Sequence, residues 1–372
     1  MLVQILSAPY GEGHRRAARA LKSAIEKRNP AWEVQVSDFV HLLHPSLDAL
    51  MRVFYLQCVS QAPFFYDWFY RFTDKPEPRS GCYLSDYLGF PTMQRLLRAM
   101  PDVVVATFPT PGRICGEIKI RKKLKFPLVM VITDFAVHAE WCHPAVDLYL
   151  VATGDVKVSL EKRGVPPERI LPVGIPVHPE FEEPVHRTRA RAALGLRNDL
   201  PVVLVAGGSY ARLGDVGRVA RELLRFQNEL QVVVLTGRDC GLYRKLSREL
   251  GSCPNFKIIG YTERVAPVMS AADLIITKAG ALTLAEAAAL GLPVLIHRWV
   301  GGQEAANASY FVQKGAALAA YGNNELLAKV EFLLSAPDGF REQMREKGRL
   351  VQPPGAAARG AAAIARLAEA GL

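Results

Sequence analysis

Short apolar runs alternate with stretches long enough for a helix, and the whole alternation occurs twice, which restricts the chain to the α/β class with parallel sheets. The first copy opens with Leu2, Val3, Ile5 and Leu6, stops at Pro9 and Gly11, and continues into His14 to Arg28, where Ala17, Ala18, Leu21 and Ile25 recur at helical spacing. Further runs follow at 34–36, 103–107, 128–133 and 148–152. The second copy has strand-like runs at 201–209, 232–237, 257–261, 273–280 and 293–297, with a helical stretch over 215–230. A chain of 372 residues is long enough for two domains with a core in each. The proline-rich VGIPVHPEFEEPV places a hinge near 176–186. The expected architecture is therefore two doubly wound, Rossmann-like domains facing a cleft, over 1–178 and 186–354. Composition alone suggests that a last Ala-rich helix, about 355–372, packs back on the first domain.

Composition narrows the partners. Lys and Arg exceed Asp and Glu by 46 to 36, a net charge of +10, which favours anionic partners: nucleic acid, anionic lipid or phosphorylated substrates. The six cysteines, Cys58, Cys82, Cys115, Cys142, Cys240 and Cys253, are scattered without a CxxC pair, as expected of a chain in a reducing, cytoplasmic compartment. Neither a signal peptide nor a run approaching 18 apolar residues is found.

Three constellations carry chemistry. Ser7 to His14, SAPYGEGH, forms a strand-to-helix turn in which small residues let a ligand approach the backbone. An imidazole at that edge of a parallel sheet is placed to act as a general base near neutral pH, and a helix-capping or solvated His14 is the bland alternative. A dinucleotide reading would use Asp38 for ribose, but the third glycine of GxGxxG is missing, since Ala17 follows. The second constellation, Thr277 to Pro293, turns at Gly280 into a helix whose first amides face an anion. Glu286 lies six residues further on, a ribose ligand or a solvated helix charge. In the third, Gln303 and Glu304 offer paired donor and acceptor groups to sugar hydroxyls. GGSYAR (207–212) and GYTE (260–263) add a further glycine turn and backbone groups for a flat base, or are plain loops.

SxxxGEGH, TDFxVHxxWxHP (133–144), TGDVKxxLxxRGVPPERI (153–170), VGIPVHPEF (173–181), TKAGALTxAEAxALGLP (277–293) and GGQExxN (301–307) stand in one order along the chain. In that order they resemble the monogalactosyldiacylglycerol synthase and processive diacylglycerol glucosyltransferase family. Its members are GT-B glycosyltransferases, related more distantly to the N-acetylglucosaminyltransferase that makes lipid II. The resemblance implies inverting transfer from UDP-glucose or UDP-galactose to diacylglycerol, or, alternatively, to another lipid-linked or soluble acceptor. By motif, Gly207, Gly208 and Ser209, with Gly280, Ala281, Leu282 and Thr283, hold the diphosphate, and Glu286 binds the ribose. Tyr261 and Thr262 offer backbone to uracil, while Gln303 and Glu304 contact the sugar. His14 is the base, and Glu12 either shares that role or faces solvent. Asp134, His138 and Trp141 fall on the acceptor side.

Lys278 or Arg212, with the helix amides, would meet the charge growing on UDP. No DxD triplet occurs, so no metal and no cofactor beyond the UDP-sugar substrate is expected. Residues 54–72 hold nine of the 32 aromatic residues and suit an interfacial anchor or a packing helix, and Lys119 to Lys125 holds five basic residues in seven, an attraction for an anionic surface or a solvated face. The resulting expectation is a peripheral enzyme on the inner face of the cell membrane, with no nucleic-acid partner because no recognition motif accompanies the charge. Two other classes stay open: a metallohydrolase using His138, Glu140, Cys142 and His143, and a UDP-sugar sensor without turnover.

Overall fold

The computed structural model describes residues 1–8, 12–43, 72–74, 84–208, 215–299 and 301–370. The chain divides into one unit of Met1–His178 with Gly355–Leu372 and a second of Pro179–Pro354.

In the first unit six parallel strands stand in the order β2-β1-β3-β4-β5-β6: β1 (Leu2–Ser7), β2 (Glu33–Asp38), β3 (Val103–Ala106), β4 (Leu128–Val131), β5 (Leu148–Val151) and β6 (Ile170–Pro172). Helices α1 (Gly13–Arg28), α2 (Phe39–Leu43), α3 (Leu84–Leu97), α4 (Pro109–Lys122) and α5 (Gly154–Glu161) accompany them. Strand order reverses between β1 and β3, so the loops leaving these two strands part at the carboxyl edge, where open α/β sheets take ligands.

The second unit repeats the design in the order β12-β11-β10-β7-β8-β9: β7 (Val202–Ala206), β8 (Gln231–Leu235), β9 (Phe256–Ile259), β10 (Leu274–Thr277), β11 (Val294–His297) and β12 (Ala317–Ala320). Its helices are α6 (Arg187–Ala193), α7 (Val216–Glu222), α8 (Cys240–Leu250), α9 (Val265–Ser270), α10 (Ala281–Ala289), α11 (Gln303–Gln313), α12 (Asn323–Ser335) and α13 (Asp338–Val351). Here the reversal falls between β7 and β10, which puts the Gly207 and Gly280 turns side by side. Central strands read as unbroken Val, Ile and Leu because both faces are covered, and Val203, Val205, Val232, Val234, Ile276 and Leu295 form the buried core.

β6 and β12 escape the sequence reading. Both are edge strands: β6 has three residues and ends in Pro172, and β12 is Ala-Leu-Ala-Ala, so neither carries the β-branched signal of a central strand.

Helix α14 (Ala356–Glu369) belongs to the first unit and packs on α1. Gly360 permits the approach, since a Cβ there would stand 3.0 Å from Leu21 Cδ2, and Arg359 donates to the carbonyl of Val173 at 2.6 Å. Ile364 is fully buried among Val3, Leu21 and Leu150. Ile364→Ala is expected to destabilise this unit by about 2–5 kcal/mol, the cost of a cavity in a packed core. Hydrogen exchange followed by mass spectrometry checks it: protection should fall in peptides of 1–178, and a loss confined to 179–354 would contradict the packing.

Candidate active site

At the carboxyl edge of the first sheet, α1 delivers His14 across the point where strand order reverses. Nδ1 of His14 lies 2.8 Å from the carbonyl oxygen of Thr107, just past β3, and 2.9 Å from Oγ1 of Thr133, just past β4. A carbonyl only accepts, so Nδ1 carries the proton and Nε2 carries the lone pair. Burial pushes the imidazole down to about 4, against the opposing pull of its bond to Thr107, and it stays neutral at physiological pH. Phe108 meets the ring edge-on, with centroids 5.1 Å apart.

The other residues of this edge are occupied. Glu12 lies 3.8 Å from Arg15, which also bonds Asp38 through Nε at 2.8 Å and a terminal nitrogen at 2.5 Å. The second oxygen of Asp38 accepts from the backbone of Val40 and His41, so this carboxylate is a structural anchor and the dinucleotide reading loses its ribose ligand. His138 accepts the N–H of Glu140 at Nδ1 and reaches the hydroxyl of Thr73 with Nε2 at 3.2 Å, which makes it the cap of a short turn, Ala139–Trp141. Trp141 is 4% exposed and part of the core, and Asp134 is buried beside Thr133. Asp74 accepts from Ala139 at 2.8 Å and pairs with Arg163 at 2.9 Å, so residues 73 and 74 are latched to the same turn.

These contacts overturn the metallohydrolase reading of 138–143. Both imidazoles spend a lone pair on backbone N–H groups, since His143 accepts from Ala145, and burial pushes the Cys142 thiol up to about 11. Among the described residues no group of His, Cys, Asp and Glu is arranged to hold a metal.

In the second unit, β7 runs into Gly207 and Gly208, whose φ of +71° suits glycine. A Cβ on Gly208 would lie 3.7 Å from Cε of Lys278, so the β7 and β10 turns touch. Ser209 and Arg212 lie outside the described residues. Gly280 is the N-cap of α10, without a side-chain cap, and the space its Cβ would fill is open. The first intrahelical bond runs from Leu284 N–H to Gly280 O, so the amides of Ala281, Leu282 and Thr283 lie ahead of the helical ladder. Lys278 is ion-paired with Glu304, and Asn307 of α11 donates to the carbonyl of Ala279 at 3.4 Å, which ties the start of α11 to the Gly280 turn. Gln303 opens α11 behind Gly302, at a φ of +69°. Glu286 is 2% exposed, which removes the alternative of a solvated helix charge. Beyond β8 and β9, Arg238 stacks 4.2 Å over the ring of Tyr261 and donates to its hydroxyl, while Thr262 Oγ1 accepts from Arg264 N–H.

Comparison with known proteins gives the family. The Monogalactosyldiacylglycerol (MGDG) synthase family profile matches residues 14–177, and the Glycosyltransferase family 28 C-terminal domain matches 202–348. A processive diacylglycerol β-glucosyltransferase of Bacillus cereus is 33% identical over 354 residues, 95% of this chain and 90% of the relative. One from Bacillus mycoides is 33% identical over 355 residues, with the same coverage. This chain belongs to the diacylglycerol glycosyltransferase family. Its fold is GT-B: MurG of Acinetobacter baumannii superposes with a TM-score of 0.64 at 16% identity over 98% of this chain and all of that one. S. aureus MnaA, solved with UDP, gives 0.66 at 15% identity over 96% and 94%.

For this diacylglycerol glycosyltransferase family member, sequence reasoning missed the groups that orient His14. Thr107 acts through its backbone carbonyl, which no residue type announces. Thr133 stood in the TDF motif beside Asp134, and only its position past β4 reveals the contact. The basic run is also placed by topology alone. α4 starts at the carboxyl edge and runs 14 residues back, so its end lies roughly 20 Å from the His14 edge at 1.5 Å per residue. There Lys119 and Arg121 are paired with Asp147 and Glu117, and Lys122, Lys123 and Lys125 are exposed. Of the aromatic run, only Phe72 is among the described residues, exposed beside the latched Thr73 and Asp74. No described helix is long and apolar enough to cross a membrane.

Proposed function

We propose that this enzyme transfers a hexose from a UDP-sugar to the free hydroxyl of diacylglycerol with inversion, making a membrane glycolipid. The observation that carries the reading is the neutral His14, with its proton held on Nδ1 and Nε2 left basic at the carboxyl edge. Nε2 takes the hydroxyl proton as that oxygen bonds to the anomeric carbon, and the bond from that carbon to the diphosphate breaks. The charge arriving on UDP is met by the amides of Ala281 to Thr283, the Gly207–Gly208 backbone and Lys278, and the motif assigns Ser209 to the same role. Glu286 takes the ribose, the Tyr261–Thr262 backbone the base, and Gln303 and Glu304 the sugar, the latter while paired to Lys278. On the acceptor side Asp134 directly follows Thr133, which contacts the base, whereas His138 caps the Ala139–Trp141 turn and Trp141 is buried in it. The activity named for the Bacillus relatives favours glucose over galactose. UDP release that depends on added diacylglycerol and survives EDTA tests both the acceptor and the absence of a metal requirement, and complete, reversible loss in EDTA would contradict the latter.

The base sets the pH profile. A folded-state value near 4 means that His14 is deprotonated, and competent, at every pH above it. The expected kcat/KM is level from about pH 5.5 to 8 and falls only toward pH 4, and an acid limb at the ordinary histidine value, about 6.5, would contradict the assignment.

We assign the inner face of the cell membrane as the working surface, with the Phe72 side toward lipid. The basic run, at the far edge, acts through long-range attraction to anionic lipid and not by delivering the acceptor. Neutralising Lys122, Lys123 and Lys125 to Gln removes less than about 1 kcal/mol of attraction each, since that figure holds only within a Debye length of the surface. Flotation with anionic vesicles should show several-fold weaker partitioning at low salt, where the Debye length reaches about 30 Å, and little difference at 1 M salt. A loss independent of salt would contradict this role.

A further inference from the structure

We propose that Thr133 is the positioning residue of the base: its hydroxyl oxygen shares the Nδ1 proton of His14 with the Thr107 carbonyl and so fixes the plane of the ring, whose tautomer the carbonyl sets, with Nε2 left basic. The inference rests on the reading of His14 as the base. Three elements converge on one nitrogen, α1 bringing the imidazole, β3 the carbonyl and β4 the hydroxyl, at 2.8 and 2.9 Å. Thr133 is 4% exposed and Thr107 fully buried, so neither contact is exchanged with solvent. Thr107 is itself held, its hydroxyl lying 3.2 Å from the His14 carbonyl and 3.3 Å from that of Leu6. The Thr107 carbonyl alone holds the ring at one point. The Thr133 oxygen supplies the second point that defines the ring plane.

The chemistry of the clamp matters as much as its geometry. A carboxylate at Nδ1 would stabilise the imidazolium and hold on to the proton taken from the acceptor. A carbonyl and a hydroxyl orient the ring without that charge. The result is a weak base that receives a proton only once the attacking oxygen has become acidic by bonding to the sugar, and that releases it readily afterwards.

The test compares Thr133→Val, Thr133→Ser, His14→Ala and the double variant His14→Ala/Thr133→Val, with UDP-glucose and diacylglycerol vesicles. Thr133→Val should lower kcat about tenfold with KM for the UDP-sugar unchanged, and Thr133→Ser should stay within about twofold of wild type, since it keeps the oxygen. In the His14→Ala background Thr133→Val should cost nothing more, because its effect passes through the imidazole. Wild-type kcat in Thr133→Val, an equal loss in Thr133→Ser, or an additive loss in the double variant would each overturn the proposal. The ¹⁵N spectrum of histidine-labelled protein supplies an activity-independent readout: the His14 signals, identified by their absence in His14→Ala, should report Nδ1–H in both proteins, with that proton protected from solvent exchange in wild type and exchanging faster in Thr133→Val. If Thr133→Val fails to fold, Thr133→Ala carries the same comparison. Full turnover in His14→Ala would remove the base reading itself, whereas unaltered exchange of that proton in Thr133→Val would remove only the clamp.

Discussion

His14→Ala is expected to lower kcat about 100- to 10,000-fold while UDP binds as tightly as to the wild type. The separation follows from placement. His14 belongs to the first unit and contacts Thr107 and Thr133, whereas the residues assigned to UDP all lie on the second sheet's turns. Folding should survive, because the imidazole is half-buried at an edge and the core of that unit is built from Val3, Ile5, Leu21 and Val105. Isothermal titration with UDP beside a turnover assay reads both quantities. Retained binding with lost turnover also separates an enzyme from a UDP-sugar sensor, for which this substitution would be silent.

The second large effect is expected from Gly280→Asp, which should raise KM for the UDP-sugar at least about 100-fold without lowering the melting temperature. Gly280 caps α10 with no side-chain hydrogen bond, at φ −70° and ψ 120°, a conformation open to any residue. An Asp there caps the helix better than Gly by a few tenths of a kcal/mol and lies favourably in the helix dipole. Its Cβ meets nothing within 4 Å, so the site accepts the side chain without strain. That same open space is assigned to the diphosphate, and a carboxylate in it sets like charges together at a cost of several kcal/mol. A drop in melting temperature would point to a packing role for the glycine, and an unchanged KM would move the diphosphate elsewhere.

The α/β alternation was legible because buried parallel strands are nearly pure Val, Ile and Leu, and the glycine turns announced where those strands end. The edge strands β6 and β12 were not, since Pro172 and the alanines of β12 resemble loop and helix as much as strand. Among the candidate residues, His14 was legible as a lone imidazole beside a glycine turn. Its orienting partners were not: one is a backbone carbonyl, and the other lies 119 residues away in sequence. Glu286 carried two readings that only burial separates. Asp38 suited a ribose in sequence, but Arg15, one turn into the neighbouring helix, claims it. The basic run was visible as charge, while its distance from His14 depended on the direction in which α4 crosses the sheet.

The most direct test of the whole account is structural identification of the lipid formed when the protein is incubated with UDP-glucose and diacylglycerol in anionic vesicles, by mass spectrometry for composition and NMR for the anomeric linkage, with UDP release measured in parallel. The account predicts a β-linked hexosyl-diacylglycerol and one UDP released per sugar transferred. UDP release without glycolipid, or an α-linked product, would contradict it.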